Sequence, residues 1–569
     1  MINQWSNEFS AANAWFRLSP KRTVTRAFVF SCLLAWLTQS TTFADDSDRS
    51  SAVSRQEVGT DNISTDQCAD KATGPASGEN LILVPGSGFS GETEQPKSRG
   101  SGKGSEENAI ARWDVIPFQV FDKTMNVGVI AFHMNEIEKV SFSVEGGPWK
   151  DVHSMKLNPE TDVVEYWVTL RASDFADGPV EVRAIAYPTA GVPRVLQGKF
   201  PFNEKTKKHV ENGEHSMWLF ANSGDKLKNT EFFVSPSLGN DDNDGSAANP
   251  VKSLAKALTL ASKQEGSSII LTEAGEYFPD RTAEGESKNT RWITVKPREG
   301  LAQKDVKIVG KGQGVRIFTR IMRLRWQGLT FRPDTYAYIN ELSATQEHLE
   351  WYDHCHFTTP SIEINEALPY RSRVYMTNCR FDSFIYGACG ALLVRGCAVK
   401  DVMDAFQNSQ LVINCRVERA RPSIDEGTAH HPDLYQSFTD RKNTIVYGMK
   451  GDDIGGMQIL FINQPLAEGA DMTDAAFVDF DVKTSDKKGG PPFSQLQGPL
   501  NHILFKNVKI ANQMLLWRTD LKDTNGFVAR NVIFEDCYFY NRLNSRTMLP
   551  RGVTVRGSKK KVTKAIEGQ

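Results

Sequence analysis

Three features of the sequence predict an all-β chain dominated by a solenoid of parallel strands, with a smaller antiparallel sandwich ahead of it. One eight-residue phrase keeps returning beyond residue 320. Between Arg112 and about Phe202, short alternating runs are separated by turn-forming residues. Between these regions, at Phe232 to Ala261, a strand leads through a polar loop into a helix suited to closing a solenoid's end.

In chain order, the first 44 residues read as an export signal. Lys21, Arg22 and Arg26 precede the apolar run AFVFSCLLAWL, and Thr42-Phe43-Ala44 forms a cleavage site before Asp45-Asp46. The apolar core is too short to span a bilayer comfortably. No later segment reads as transmembrane, so the expected location is secreted, periplasmic or cell-surface. Residues 45–110 are rich in Ser, Gly, Asp, Glu and Lys and read as a flexible linker, with LILVPG its one strongly apolar stretch. The 569 residues allow two to four domains of roughly 100–200 residues each. A formal net charge of −2 gives no reason to expect nucleic acid or a membrane surface as partner.

Residues 111–203 carry VGVIAFHM, VSFSVEGGPW, EYWVTL and VEVRAIAY, separated by Gly146-Gly147-Pro148 and Asp177-Gly178-Pro179. Alternation with a turn every 8–12 residues or so predicts a small antiparallel sandwich. The pattern resembles bacterial immunoglobulin-like modules, without a cysteine pair. A connector follows at 204–230.

The segment FFVSPSLGNDDNDGSAANPVKSLAKALTLA then predicts a helix capped by Asn249, with Pro250 in its first turn. Its apolar stripe is Val251, Leu254, Ala255, Leu258 and Ala261. NDDNDG is read as a polar turn. As an EF-hand it would start at Asn240 and place Val251 where the twelfth-position Glu belongs.

The returning phrase reads LRWQGLTF, EWYDHCHF, VYMTNCRF, LLVRGCAV, QLVINCRV, TIVYGMKG, AAFVDFDV, ILFKNVKI and VIFEDCYF. Its fifth position is Gly, Asn, Asp or His, which suits a left-handed bend. Its sixth is apolar or Cys: Leu329, Cys355, Cys379, Cys397, Cys415, Met449, Phe480, Val508 and Cys537. Successive sixth positions lie 26, 24, 18, 18, 34, 31, 28 and 29 residues apart, the spacing of stacked coils sharing one core. The cysteines then form an inward column of free thiols rather than disulfides or, in DHCHF, a zinc site. From the opening strand–loop–helix and these repeats, residues 231–556 resemble the pectate-lyase-like superfamily. That resemblance implies a right-handed parallel β-helix with an N-terminal capping helix. Residues 557–569 form a basic tail.

Loops that leave a solenoid usually build its binding face. The longest gap, Cys415 to Met449, holds RVERARPSIDEGTAHHPDLYQSFTDRKN. MDAFQ and HPDLYQ share an Asp-x-x-Gln phrase, so Asp404 and Asp433 should stack on neighbouring coils with His431 at the edge. Two like charges that close raise at least one carboxyl pKa. Arg419, Arg421, Arg441 and Lys450 are near enough in sequence to offset the charge.

Two chemistries on an acidic polysaccharide fit this composition, a polysaccharide lyase first and a glycoside hydrolase second. In a lyase, His431, Lys450 or Arg421 acts as base or charge stabiliser, and Asp404, Asp433 and Asp453 hold calcium. In a glycoside hydrolase, Asp404 with Asp433, or Asp433 with Asp453, forms the carboxyl pair. The familiar β-helix hydrolase series Asn-Thr-Asp, Asp-Asp, Gly-His-Gly, Arg-Ile-Lys is absent in that order. Arg421, Arg441, Tyr435, Gln436, Trp517 and Arg518 are the candidate substrate contacts. Asp425 and Glu426 read as solvated loop charges. A third reading is a non-catalytic adhesion or glycan-binding protein in which Asp and Gln only satisfy the solenoid's polar edge. In every case the expected partner is a polysaccharide or cell-surface glycan, and the expected state is a monomer.

Overall fold

The computed structural model describes residues 81–85, 107–196, 202–203, 208–209, 216–279, 287, 289–309, 321–332, 349–358, 373–383, 386–420, 424–425, 428–429, 433–438, 442–454, 458–464, 472–484, 493–497, 499–510, 514–518, 528–539 and 551–557. The export signal, most of the linker and the end of the basic tail lie outside the described residues.

Two antiparallel sheets form the sandwich. One contains Ile110–Trp113, Thr124–Phe132, Val163–Arg171 and Lys156–Asn158; the other is built on Gly178–Pro188, Ile137–Val144 and Ser216–Ala221. The sandwich thus extends beyond the expected boundary at residue 203. Ser216–Ala221 pairs antiparallel with Gly178–Pro188 and parallel with Val120–Phe121. Its alternation explains why: Met217, Leu219 and Ala221 enter the sandwich core, while Trp218 and Phe220 join a second apolar cluster. The expected linker also contributes. Leu83 donates its N–H to Thr169 O and is buried in the sandwich core.

The rest is a parallel β-helix whose strands stack into three ladders. The first runs from Thr230–Val234 to Val553–Arg556 and the second includes Thr330–Arg332, His356–Thr358, Arg380–Asp382 and Arg416–Glu418. The third comprises Tyr386–Cys389, Asp404–Gln407, Asp433–Phe438, Gln458–Gln464, Phe493–Gln497 and Met514–Arg518. Inside, Phe331, Phe357 and Phe381 stack on successive coils at 5.1 and 4.7 Å. Phe477, Phe505 and Phe534 stack at 5.0 and 4.7 Å.

The eight-residue phrase marks the corner between the first two ladders. Its fifth residue is left-handed in every coil: Gly328, His354, Asn378, Gly396, Asn414, Gly448, Asp479, Asn507 and Asp536 have φ between 48° and 70°. This bend swings the chain from one ladder to the next. The corner N–H stays satisfied across coils, as where Asn378 N–H donates to Arg395 O at 2.9 Å. The sixth residue is buried each time. Where it is cysteine, the thiol donates to carbonyls at the bend; Cys379 Sγ reaches Tyr352 O at 3.3 Å and Thr377 O at 3.4 Å. Cys355, Cys379, Cys397, Cys415 and Cys537 are free and buried.

The capping helix α1, Leu254–Ala261, begins later than expected. Its cap is Ser253, whose Oγ accepts the Lys256 N–H, and not Asn249. The NDDNDG turn supplies the reason. Asp241 Oδ1 accepts the N–H groups of Lys252 and Ser253 at 2.9 and 2.8 Å, holding residues 249–253 out of the helix. Leu254, Ala257, Leu258 and Ala261 are the residues that close the core; Ala257 takes the place expected of Ala255.

The sandwich is packed on the outer face of the first ladder. Ile110, Ile116, Phe118, Ile130, Trp218 and Phe220 share one buried cluster with Trp351, Tyr375, Leu411, Ile445, Leu504 and Ile533. A second left-handed column, Asn443, Asp474, His502 and Asn531 (φ 57, 57, 55 and 50°), reinforces the seam. Each member meets the sandwich region: Asn443 exchanges hydrogen bonds with the Ala111 backbone at 2.8 and 2.9 Å, Asp474 pairs with Arg194, His502 faces His133 and Asn531 donates to Glu107.

Candidate functional site

With the first ladder covered, the second and third ladders are left for function. The third carries the Asp-x-x-Gln phrases in register. Asp404 pairs with Asp433, Phe406 with Tyr435 and Gln407 with Gln436. The stretch HPDLYQ is therefore a strand at its C-terminal end, entered from the longest excursion. Gly387 belongs to this arrangement, because a Cβ there would collide with Ala405 O on the next coil.

Both aspartates are buried. Asp404 Oδ1 accepts the Asp433 backbone N–H at 3.1 Å. Asp433 is fully buried, and burial pushes its carboxyl well above the usual carboxylate range. The expected rise is present, but its cause is desolvation rather than the neighbouring charge. Gln407 Nε2 donates to Gln436 Oε1 at 2.6 Å, and Gln407 Oε1 is buried with no hydrogen-bond partner among the described residues. Gln407 is not among the residues the sequence singles out for the site, although the Asp-x-x-Gln repeat that marks Gln436 marks it too.

Other expected members lie elsewhere. Tyr435 points into the core, its hydroxyl donating to Ser409 O at 2.9 Å, so it offers no substrate contact here. Lys450 is exposed on the second ladder, in register between Arg416 and Asp481. Arg419 is held by Asp401 through two bonds of 2.8 and 2.7 Å. Asp453 sits with Lys450 on the second ladder, so the expected calcium set Asp404, Asp433 and Asp453 is divided between two ladders. A buried carboxyl pushed towards its neutral form is also a poor ligand for a hard cation. Among the described residues no group of three or more His, Cys, Asp or Glu side chains is placed to hold a metal ion. The two histidines of DHCHF diverge, His354 to Asp353 and His356 to Asp382, each at 2.8 Å. His431, Arg421 and Arg441 lie outside the described residues, as do the side chains of Trp517 and Arg518 on the strand Met514–Arg518.

No family model and no curated protein matches the sequence. Among solved structures, the chain is similar to a GH136 lacto-N-biosidase from Eubacterium ramulus, at 10% identity and a TM-score of 0.26, covering 59% of this chain and 67% of that one. It is similar also to tailspike protein 3 of bacteriophage CBA120, at 11% identity and a TM-score of 0.20, covering 60% of this chain and 61% of that one. Likeness at this level carries no functional argument. No helix among the described residues is long and apolar enough to cross a membrane.

Proposed function

We propose that this is an exported, carbohydrate-active β-helix protein of the pectate-lyase-like kind that acts on an acidic polysaccharide at the third ladder. The supporting observation is the in-register stacking of Asp404 on Asp433, both buried, with burial raising the Asp433 carboxyl. Glycosidic hydrolysis needs one carboxyl kept protonated as the acid and another that activates water or attacks. Burial supplies the first condition at Asp433. Asp404, whose Oδ1 accepts the Asp433 backbone N–H at 3.1 Å, is the candidate for the second. Hydrolysis therefore stands ahead of β-elimination, because Lys450 and Asp453, which the lyase reading used, belong to another ladder.

A second reading is favoured by a specific observation. Asp404, Gln407, Asp433 and Gln436 are all buried, and the two glutamines bond to each other. Such a ladder also suits a non-catalytic scaffold that binds glycan elsewhere.

The test uses residues 45–569 on a panel of uronate-containing and neutral polysaccharides, with and without a calcium chelator. New reducing ends without unsaturated-uronate absorbance support hydrolysis. Both signals together would replace it with elimination, and chelator sensitivity would bring a metal into that reaction. Neither signal, with retention of glycan in affinity electrophoresis, would support the scaffold reading.

A further inference from the structure

We propose that the second ladder carries a binding track for a polyuronate chain laid along the solenoid axis. A column of cations takes the sugar carboxylates and a parallel column of acids takes the sugar hydroxyls. The inference rests on the acidic-polysaccharide reading for the identity of the partner, and not on any chemistry at the third ladder.

The cationic column follows from the register. His356 pairs with Arg380, Arg380 with Ala398, Ala398 with Arg416 and Arg416 with Lys450. Each stands directly after the buried sixth residue of the repeat phrase, so alternation turns its side chain away from the core. Arg380, Ala398, Arg416 and Lys450 are exposed. Arg380 and His356 both reach Asp382 Oδ2 at 2.8 Å, and 58% of the Arg380 side chain still faces solvent. Arg416 and Lys450 stand side by side on neighbouring coils. Like charges directly opposite one another on paired strands are destabilising. Among the described residues no carboxylate reaches ion-pair distance of either, so the fold leaves that repulsion standing. An anion held between them would offset it. In register beyond Lys450 stands Asp481, which ends the cationic run.

The acidic column lies two residues further along each strand and so shares the same face. It runs in register through Asp382, Lys400, Glu418 and Asp452. Lys400 lies 3.9 Å from Glu418, and Asp452 is exposed with no ion pair among the described residues. The two columns together select the occupant. Parallel strands lie about 4.8 Å apart, close to the advance of one sugar along an extended glycan, so a chain parallel to the axis meets one coil per sugar. A uronate sugar offers both a carboxylate and hydroxyls. Arg416 and Lys450 donate to the first, Glu418 and Asp452 accept from the second, and charge-assisted hydrogen bonds of both kinds are stronger than neutral ones. Ala398, low between Arg380 and Arg416, leaves room for a ring. A neutral glycan would leave the Arg416–Lys450 repulsion in place. A polymer dense in sulfate or phosphate would press its charge against the acidic column.

The test is affinity electrophoresis of residues 45–569, in the cold and with a calcium chelator, through gels holding polygalacturonate, alginate, a neutral glucan or a sulfated glycan. Wild type should be retarded by the two uronate polymers, and less so as salt rises. Arg416→Ala with Lys450→Ala should weaken that binding at least about tenfold, with circular dichroism unchanged because both positions are exposed. Should the double variant not fold, Lys450→Ala alone carries the comparison. Asp452→Asn should weaken uronate binding but strengthen any binding of the sulfated glycan. Lys263→Ala, an exposed cation beside the capping helix, should change nothing. Uronate binding that stays within about twofold of wild type in the folded stripe variant overturns the track and leaves the acidic-polysaccharide reading standing. A wild type that binds the sulfated glycan as tightly as the uronates overturns it too, because charge alone would then be read. A wild type that binds no uronate polymer overturns the track and the partner reading together.

Discussion

Asp404 and Asp433 hold equivalent positions on adjacent coils, yet one carboxylate accepts a backbone N–H and the other is pushed well above the carboxylate range by burial. A group whose folded pKa is raised stabilises the fold only below its ordinary range, and that contribution is lost as pH rises. Asp433→Asn should therefore raise the urea midpoint at pH 8 and leave it nearly unchanged at pH 4. A lowered midpoint at pH 8 would mean that the ionised carboxylate is the stabilising form. The corner residues make a second residue-scale case. Gly448 has φ 70°, and a Cβ there would strike Asn414 Oδ1 on the neighbouring coil. Gly448→Ala should cost about 1–2 kcal/mol in chemical denaturation for the left-handed backbone alone. Asn378→Gly, at φ 54°, should change stability far less. The corner was legible in the sequence because a left-handed backbone narrows the choice to Gly, Asn, Asp and, once, His. The partners of Asp433 were not, because burial depends on what covers a strand rather than on the strand itself.

At the scale of elements, strand repeats and helix ends were unequally legible. The repeat phrase fixed register because each slip of one residue would turn the interior column outward. The start of α1 was misread because Asn249 and Ser253 are both good caps, and only the bonds from Asp241 Oδ1 to Lys252 and Ser253 select the later one. Ser253→Ala should cost about 1 kcal/mol. Asn249→Ala, at an exposed turn position, should stay within about 0.5 kcal/mol. Equal losses at the two sites, measured by denaturation, would return the cap to Asn249. The expected linker was misread for a related reason. A short apolar run in a polar stretch gains order only from an edge to pair with, and Leu83 finds one at Thr169.

Across the whole molecule, the sandwich and the solenoid share an apolar seam that the sequence did not disclose. Ser216–Ala221 buries both faces, Leu219 inside the sandwich and Trp218 against the solenoid. This stretch falls in the expected connector 204–230, whereas sheets covered on both sides carry apolar residues on both faces. Leu411, on the solenoid's outer face, is buried by this docking. Leu411→Ala should destabilise the protein by about 2–5 kcal/mol, as in a closed core. A change within about 0.5 kcal/mol would mean a loosely tethered module. The seam also explains why chemistry is expected on the third ladder, since the sandwich covers the first.

The most direct measurement of the central claim is reducing-end release by wild type, Asp404→Asn and Asp433→Asn on the polysaccharide the wild type cleaves fastest, with folding checked by circular dichroism. An acid–base pair predicts that each folded variant loses at least about 100-fold in kcat. Folded variants that stay within about twofold of wild type would contradict it and leave the Asp/Gln ladder as architecture.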